Sequence, residues 1–155
     1  MIDKDVFKGK NINLFSPYSN ELLYDYIYSL EYTDEASKDW KARHVVLSVL
    51  KTLFELDVIY VYKWYNQPEL KNKKLTINET IIKIDDIWFE NAIYPDFYNM
   101  VMFGSQKWYV DALEKIGMTH TTNWENFVKE KIGDLEQWIE RNRPKKNTDN
   151  KKIEV

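Results

Sequence analysis

The chain holds two histidines and no cysteine, so the residue types that most often serve as nucleophile, general base or metal ligand are nearly absent. His44 lies beside Val45 and Val46 in a stretch of helical periodicity, where a packed or surface histidine is expected. His120 sits in Met118-Thr119-His120-Thr121-Thr122, ahead of a helix, with Asp111, Glu114 and Glu125 near in sequence. A loop histidine close to carboxylates is the better candidate for acid–base catalysis, so an enzyme built on this chain would rest on His120; a plain turn residue is the competing reading. Carboxylates pair at Glu21/Asp25 and at Asp85/Asp86. An acid–base pair needs a set separation and one perturbed pKa, whereas helix capping accounts for Asp85/Asp86 and solvation for Glu21/Asp25. No nucleophile elbow, phosphate loop, dinucleotide fingerprint or zinc-protease helix is present. The spacing of the two histidines supports no mixed carboxylate metal site. We expect no catalytic residue, no metal and no cofactor.

What the chain has in quantity is rings: 24 of its 155 residues are Phe, Trp or Tyr. A chain of this length suggests one domain, over 1–144, and buries roughly 70% of its unfolded surface. Trp40, Trp64, Trp88, Trp108, Trp124 and Trp138 are the natural anchors of that core. The charged opening Met1-Ile2-Asp3-Lys4-Asp5 leads into no apolar run, so no secretory signal is expected. Apolar runs such as Val58–Tyr62 are far too short to cross a bilayer. Together with the lack of cysteine, these features suggest a cytoplasmic protein.

The net charge of −3 is unevenly spread. Glu21, Asp25, Glu31, Asp34, Glu35 and Asp39 face only Lys38 over 15–40, while Lys63, Lys71, Lys73 and Lys74 outnumber Glu69 over 63–74. The lysines read as a solvated hairpin tip. The segment 145–155 reads as a disordered basic tail. Nothing forms the broad basic face of a nucleic-acid binder.

The elements that must position these residues read as predominantly helical α+β: about six helices and a small antiparallel hairpin. Asn20 can cap a helix to Tyr32, with Leu22, Leu23, Tyr26, Ile27 and Leu30 on one face. A second helix runs from Asp39 to Leu56 on a stripe of Val45, Val46, Val49, Leu50, Leu53 and Phe54. The β-branched and aromatic run 58–65 reads as a strand. Segment 75–84 is open: Thr76 and Glu79 fit a capping box, while its β-branched content suits a strand pairing with 58–65. We take the strand. Asp85 or Asp86 then caps a short helix through Ala92, and Pro95 opens another to Phe103. Ser105 caps a helix that Gly117 stops; Thr122/Glu125 and Asp134/Gln137 start one bent or two separate final helices, closed by Pro144.

On the first of these helices, at about 100° per residue, Tyr24, Tyr28 and Tyr32 fall opposite the apolar stripe, flanked by Glu21, Asp25 and Glu31. Tyrosine gives large contact area at low rotamer cost, and the acids would steer a basic partner. The alternative is that a second layer, such as the C-terminal helices, covers this face. A second aromatic cluster spans Trp88, Phe89, Tyr94, Phe97, Tyr98, Phe103, Trp108 and Tyr109, chiefly as core with a minority edging a surface.

With its Tyr24-Asp25-Tyr26-Ile27-Tyr28-Ser29-Leu30-Glu31-Tyr32 run, the chain resembles small bacterial immunity proteins in general character. Such proteins are short, acidic, rich in aromatics and without catalytic motifs. The resemblance implies a toxin domain as partner, commonly a nuclease with a basic cleft. A second likeness, to a winged-helix module, rests on helices at 20–32 and 39–56 followed by a hairpin over 58–84. It has one helix too few, and its acidic first helix suits DNA poorly, so such a regulatory module would serve protein contacts instead.

Overall fold

Helix α2, Trp40–Glu55, is the longest helix among the described residues. Asp39 caps it, accepting from the amides of Lys41 (3.0 Å) and Ala42 (3.3 Å). Ala42, Val46, Val49, Leu50 and Leu53 form its buried stripe, while Val45, expected inside, faces outward. The computed structural model describes residues 4–145. The basic tail expected over 145–155 therefore lies, from 146 on, outside the described residues.

The fold is predominantly helical α+β with one two-stranded antiparallel sheet, as expected, but the second strand is not the one chosen from sequence. Strand β1, Ile59–Trp64, pairs with β2, Val101–Ser105, in the register Ile59↔Ser105 to Trp64↔Val101, with a bulge at Tyr62. Segment 75–84 is instead part of helix α3, Ile77–Ile87. The capping box decides it locally: Thr76 N–H donates to Glu79 Oε1 (2.8 Å) and Glu79 N–H to Thr76 Oγ1 (3.1 Å). These bonds hold the Glu79 carboxyl below the usual carboxylate range. Helical spacing then buries Thr80 and Ile84 and packs Ile81 and Ile87 against the core, which overrides the β propensity of the isoleucines. The hairpin over 58–84 on which the winged-helix likeness rested does not form.

No helix runs from Pro95 to Phe103: a 3-10 turn covers Tyr94–Asn99, and Phe103 and Gly104 belong to β2. Gly104 is suited to this place because the ring of Tyr60 lies where its Cβ would be, 2.9 Å away. Asp85 and Asp86 sit inside α3 rather than capping a later helix, and Asp85 pairs with Arg43 at 2.7 Å. Ser105 caps nothing; it donates to the Pro17 carbonyl, and α4, Lys107–Lys115, starts after Gln106. Gly117, at φ 109°, follows the end of α4. Asn123, not Thr122, caps α5, Trp124–Phe127, accepting from Asn126 N–H. Helix α5 continues into a π-turn, Val128–Ile132, which Gly133 (φ 81°) ends. Asp134 then caps α6, Leu135–Asn142, so the final helices are two.

The core holds Trp88, Tyr26, Tyr109, Phe15, Phe97 and Phe103, all fully buried. Their polar atoms are satisfied: Trp88 Nε1 donates to Ser37 Oγ (2.8 Å) and Tyr109 Oη to the Phe15 carbonyl (2.5 Å). One expected anchor is absent from it, since Trp40 at the head of α2 is 72% exposed. Among the described residues no helix is long and apolar enough to cross a membrane.

Candidate protein-binding face

Helix α1, Leu23–Ser29, is shorter than the 20–32 span read from sequence, and its cap is different. Asn20 turns away, its amide donating to the Asn13 carbonyl. The Asp25 carboxylate does the capping, accepting from the amides of Glu21 (2.9 Å) and Leu22 (2.8 Å). Leu23, Tyr26 and Ile27 are buried beneath, which leaves Tyr24 and Tyr28, one turn apart, on the outer side. Their rings stack at 6.5 Å between centroids.

The tyrosines meet a second element seventy residues away in sequence. Asp96 closes the 94–99 turn by accepting from Ile93 N–H, and Phe97 drives fully into the core. That leaves Tyr94 and Tyr98 outside. Tyr24 meets Tyr94 edge-on at 4.7 Å and Phe97 at 5.6 Å. Tyr94 and Tyr98 meet at 5.5 Å with their hydroxyls 2.6 Å apart. The Tyr94–Tyr98 hydrogen bond, partial burial and nearby negative charge, Asp25 included, push the Tyr94 phenol up. The result is a ladder of four tyrosines, Tyr28–Tyr24–Tyr94–Tyr98, with Tyr28 70% and Tyr98 51% exposed.

Two ties hold the ladder to the body. Asp34 accepts from Tyr94 N–H (3.1 Å), and the same 34–37 turn receives Trp88 Nε1 at Ser37. An acid stands beyond each end of α1, Glu21 before it and Glu31 after it. Glu31 is exposed in a left-handed turn (φ 67°) and lines a depression of about 450 Å³ with Lys10, Asn13, Tyr24, Tyr28 and Tyr32. Glu21 presents an exposed side chain from a main chain bound to β2, where its carbonyl accepts from Phe103 N–H.

Of the six residues chosen from sequence, Tyr24, Tyr28, Glu31 and Tyr32 line one depression, with Tyr24 and Tyr32 half-buried, while Asp25 caps α1 and Glu21 is held through its main chain to Asp25 and to β2. What covers Tyr24 is the 94–99 turn rather than the C-terminal helices. Sequence reasoning placed Tyr94 and Tyr98 in a separate cluster. The signal that could have freed them is Asp96 three residues after Ile93 with Pro95 between, a turn signature that puts Phe97 inward.

His120 lies elsewhere. Its ring rests on Tyr18 at 4.1 Å, and Tyr18 donates to Glu114 Oε2 (2.7 Å). Burial, then that bond, push the Tyr18 phenol up to about 12. Asp111 pairs with Lys107. Among the described residues no group of three or more His, Asp or Glu side chains is placed to hold a metal ion. In comparisons with known proteins, the chain matches no protein-family model, no curated protein and no solved structure.

Proposed function

We propose that the chain is a non-catalytic protein-binding module that grips a basic partner through the tyrosine ladder, in the manner of an immunity protein that blocks a toxin domain. The observation that carries this reading is the ladder itself. Four rings are held in mutual contact before any partner arrives, two of them more than half exposed. Aromatic side chains already ordered lose little entropy on binding, which is what an interface hot spot requires. Glu21 and Glu31 add charge that raises the encounter rate with a basic surface such as a nuclease cleft. The reading places the protein in the cytoplasm, where an incoming toxin would act.

The test is co-expression with the product of the adjacent upstream gene, with growth arrest by that product alone as the control. The chain should restore growth and form a stoichiometric complex. Tyr28→Ala and Tyr98→Ala should each weaken that complex by at least about tenfold. Glu31→Lys should slow association and leave dissociation almost unchanged. Full protection by a Tyr28→Ala/Tyr98→Ala double variant would remove this face from the function.

A further inference from the structure

The geometry points to a second, chemically opposite docking site: the free edge of β1 accepts an acidic, extended segment of another protein as an added strand. This inference is independent of the tyrosine ladder and stands whether or not the ladder binds a toxin.

The β1·β2 ladder is bracketed by Gln106 N–H donating to the Val58 carbonyl and Tyr65 N–H donating to that of Met100, both at 2.9 Å. Bonded and unbonded pairs alternate in an antiparallel ladder. Counting inward from each end, with the bulge at Tyr62, leaves Ile59, Val61 and Trp64 with amides and carbonyls on the other side. The Ile59 carbonyl is met by Gln106 Nε2 at 3.4 Å. Val61 and Trp64 face an edge on which, among the described residues, no strand pairs. Both line two adjoining grooves of about 620 and 690 Å³, the first bounded by loop 66–73 and the second by 73–77 at the head of α3.

Charge around the edge selects the occupant. Lys71, Lys73 and Lys74 stand exposed on the loop, and Lys63 is exposed on the strand itself, its ammonium 4.7 Å from the Tyr65 ring. The loop is built rather than loose. Leu70 is buried under it, Glu69 is tied to Lys83 of α3 at 3.6 Å, and Asn66 and Asn72 take the left-handed turns at φ 58° and 63°. A second copy of the chain would bring its own four lysines against these, and Lys63 with the bulge blunts self-pairing. A nucleic acid would find lysines too, but it has no main-chain amides and carbonyls to pair with those of Val61 and Trp64, as a peptide has on either side of the bulge. Strand addition draws affinity from those amides and selectivity from alternate side chains. Acidic side chains toward the loop and apolar ones over half-buried Trp64 meet both demands.

The test uses the full chain and a fluorescein-labelled alternating Glu/Val peptide of about eight residues, followed by anisotropy and by amide hydrogen exchange. Binding should slow exchange at Val61 and Trp64. It should fall at least about tenfold in Lys71→Glu/Lys73→Glu/Lys74→Glu, and should be lost when alternate peptide amides are N-methylated. Lack of binding, equal binding of an alternating Lys/Val peptide, or indifference to N-methylation would overturn the inference. Tighter binding of oligothymidylate than of the acidic peptide would overturn it in favour of single-stranded nucleic acid.

Discussion

At the tyrosine face the main chain is already engaged. Asp25 takes the amides of Glu21 and Leu22, Asp96 that of Ile93 and Asp34 that of Tyr94, so what remains for a partner is side chain. At the edge of β1 the proportions reverse. Val61 and Trp64 offer backbone, and the charged side chains lining the loop-side groove are lysines, Lys63 on the strand and Lys71 and Lys73 on the braced loop. The two regions also differ in support. The ladder stands on Phe97 and Trp88, rings that belong to the core, whereas the groove beside β1 is walled by a surface loop with one buried residue, Leu70. A surface that recognises by side chain needs its rings fixed from below; one that recognises by backbone needs only a strand held in register.

Removing the support should separate the two regions most sharply. Trp88→Ala deletes a fully buried ring and the bond to Ser37, and should cost about 3–5 kcal/mol in urea unfolding. Hydrogen exchange should then quicken at 34–37 and 93–99 more than along β1 and β2. Equal quickening of both would break the comparison. The next effect is smaller. Asp25→Ala strands two amides at the head of α1 and should cost about 1 kcal/mol. Asp25→Asn keeps an acceptor oxygen and should recover much of that, which separates the cap from any steering by charge. On the other region, Gly104→Ala should push the tip of the Tyr60 ring off the sheet at a cost of about 1 kcal/mol or less, since a side-chain end moves more easily than a strand. In a Tyr60→Ala background that cost should vanish, and additive losses would mean the strands themselves had shifted.

The smallest effect at neutral pH is the one that grows with alkalinity. Burial pushes the phenols of Tyr26 and Tyr109 well above their ordinary value, and Tyr18 reaches about 12. A raised folded-state pKa contributes stability that is whole below the unfolded value near 10 and drains away as pH climbs through the folded one. Alkaline titration followed by phenolate absorbance should therefore show Tyr26 and Tyr109 ionising only together with unfolding. Their ionisation ahead of unfolding would contradict their place in the core.

Reading the chain alone found some of this and missed the rest for physical reasons. Helix α2 was legible because its cap and its stripe are local: Asp39 precedes the apolar period and Val46, Val49, Leu50 and Leu53 repeat it. The capping box at Thr76 and Glu79 was equally local and was outweighed by the β-branched content of the segment; the packing of Ile84 on the core decided for the helix. The true partner of β1 lies about twenty residues further along than the chosen segment 75–84, and nothing in Val101–Ser105 announces its register except a glycine that makes room for Tyr60. On α1, the outward turn of Tyr24 and Tyr28 followed from a 3.6-residue period. Their contact with Tyr94 did not.

By itself, then, the sequence determined which residues could cap, which faces were apolar, where charge gathers and that catalytic residue types are scarce, because each of these is a property of neighbours along the chain. Long-range packing alone settles that two aromatic clusters form one ladder, that Asp25 caps α1 with its carboxylate, and that among the described residues β1 keeps an open edge beside the lysines. Those outcomes depend on which distant segments bury one another. Pairing and packing energies between segments tens of residues apart leave no periodic trace in either segment alone.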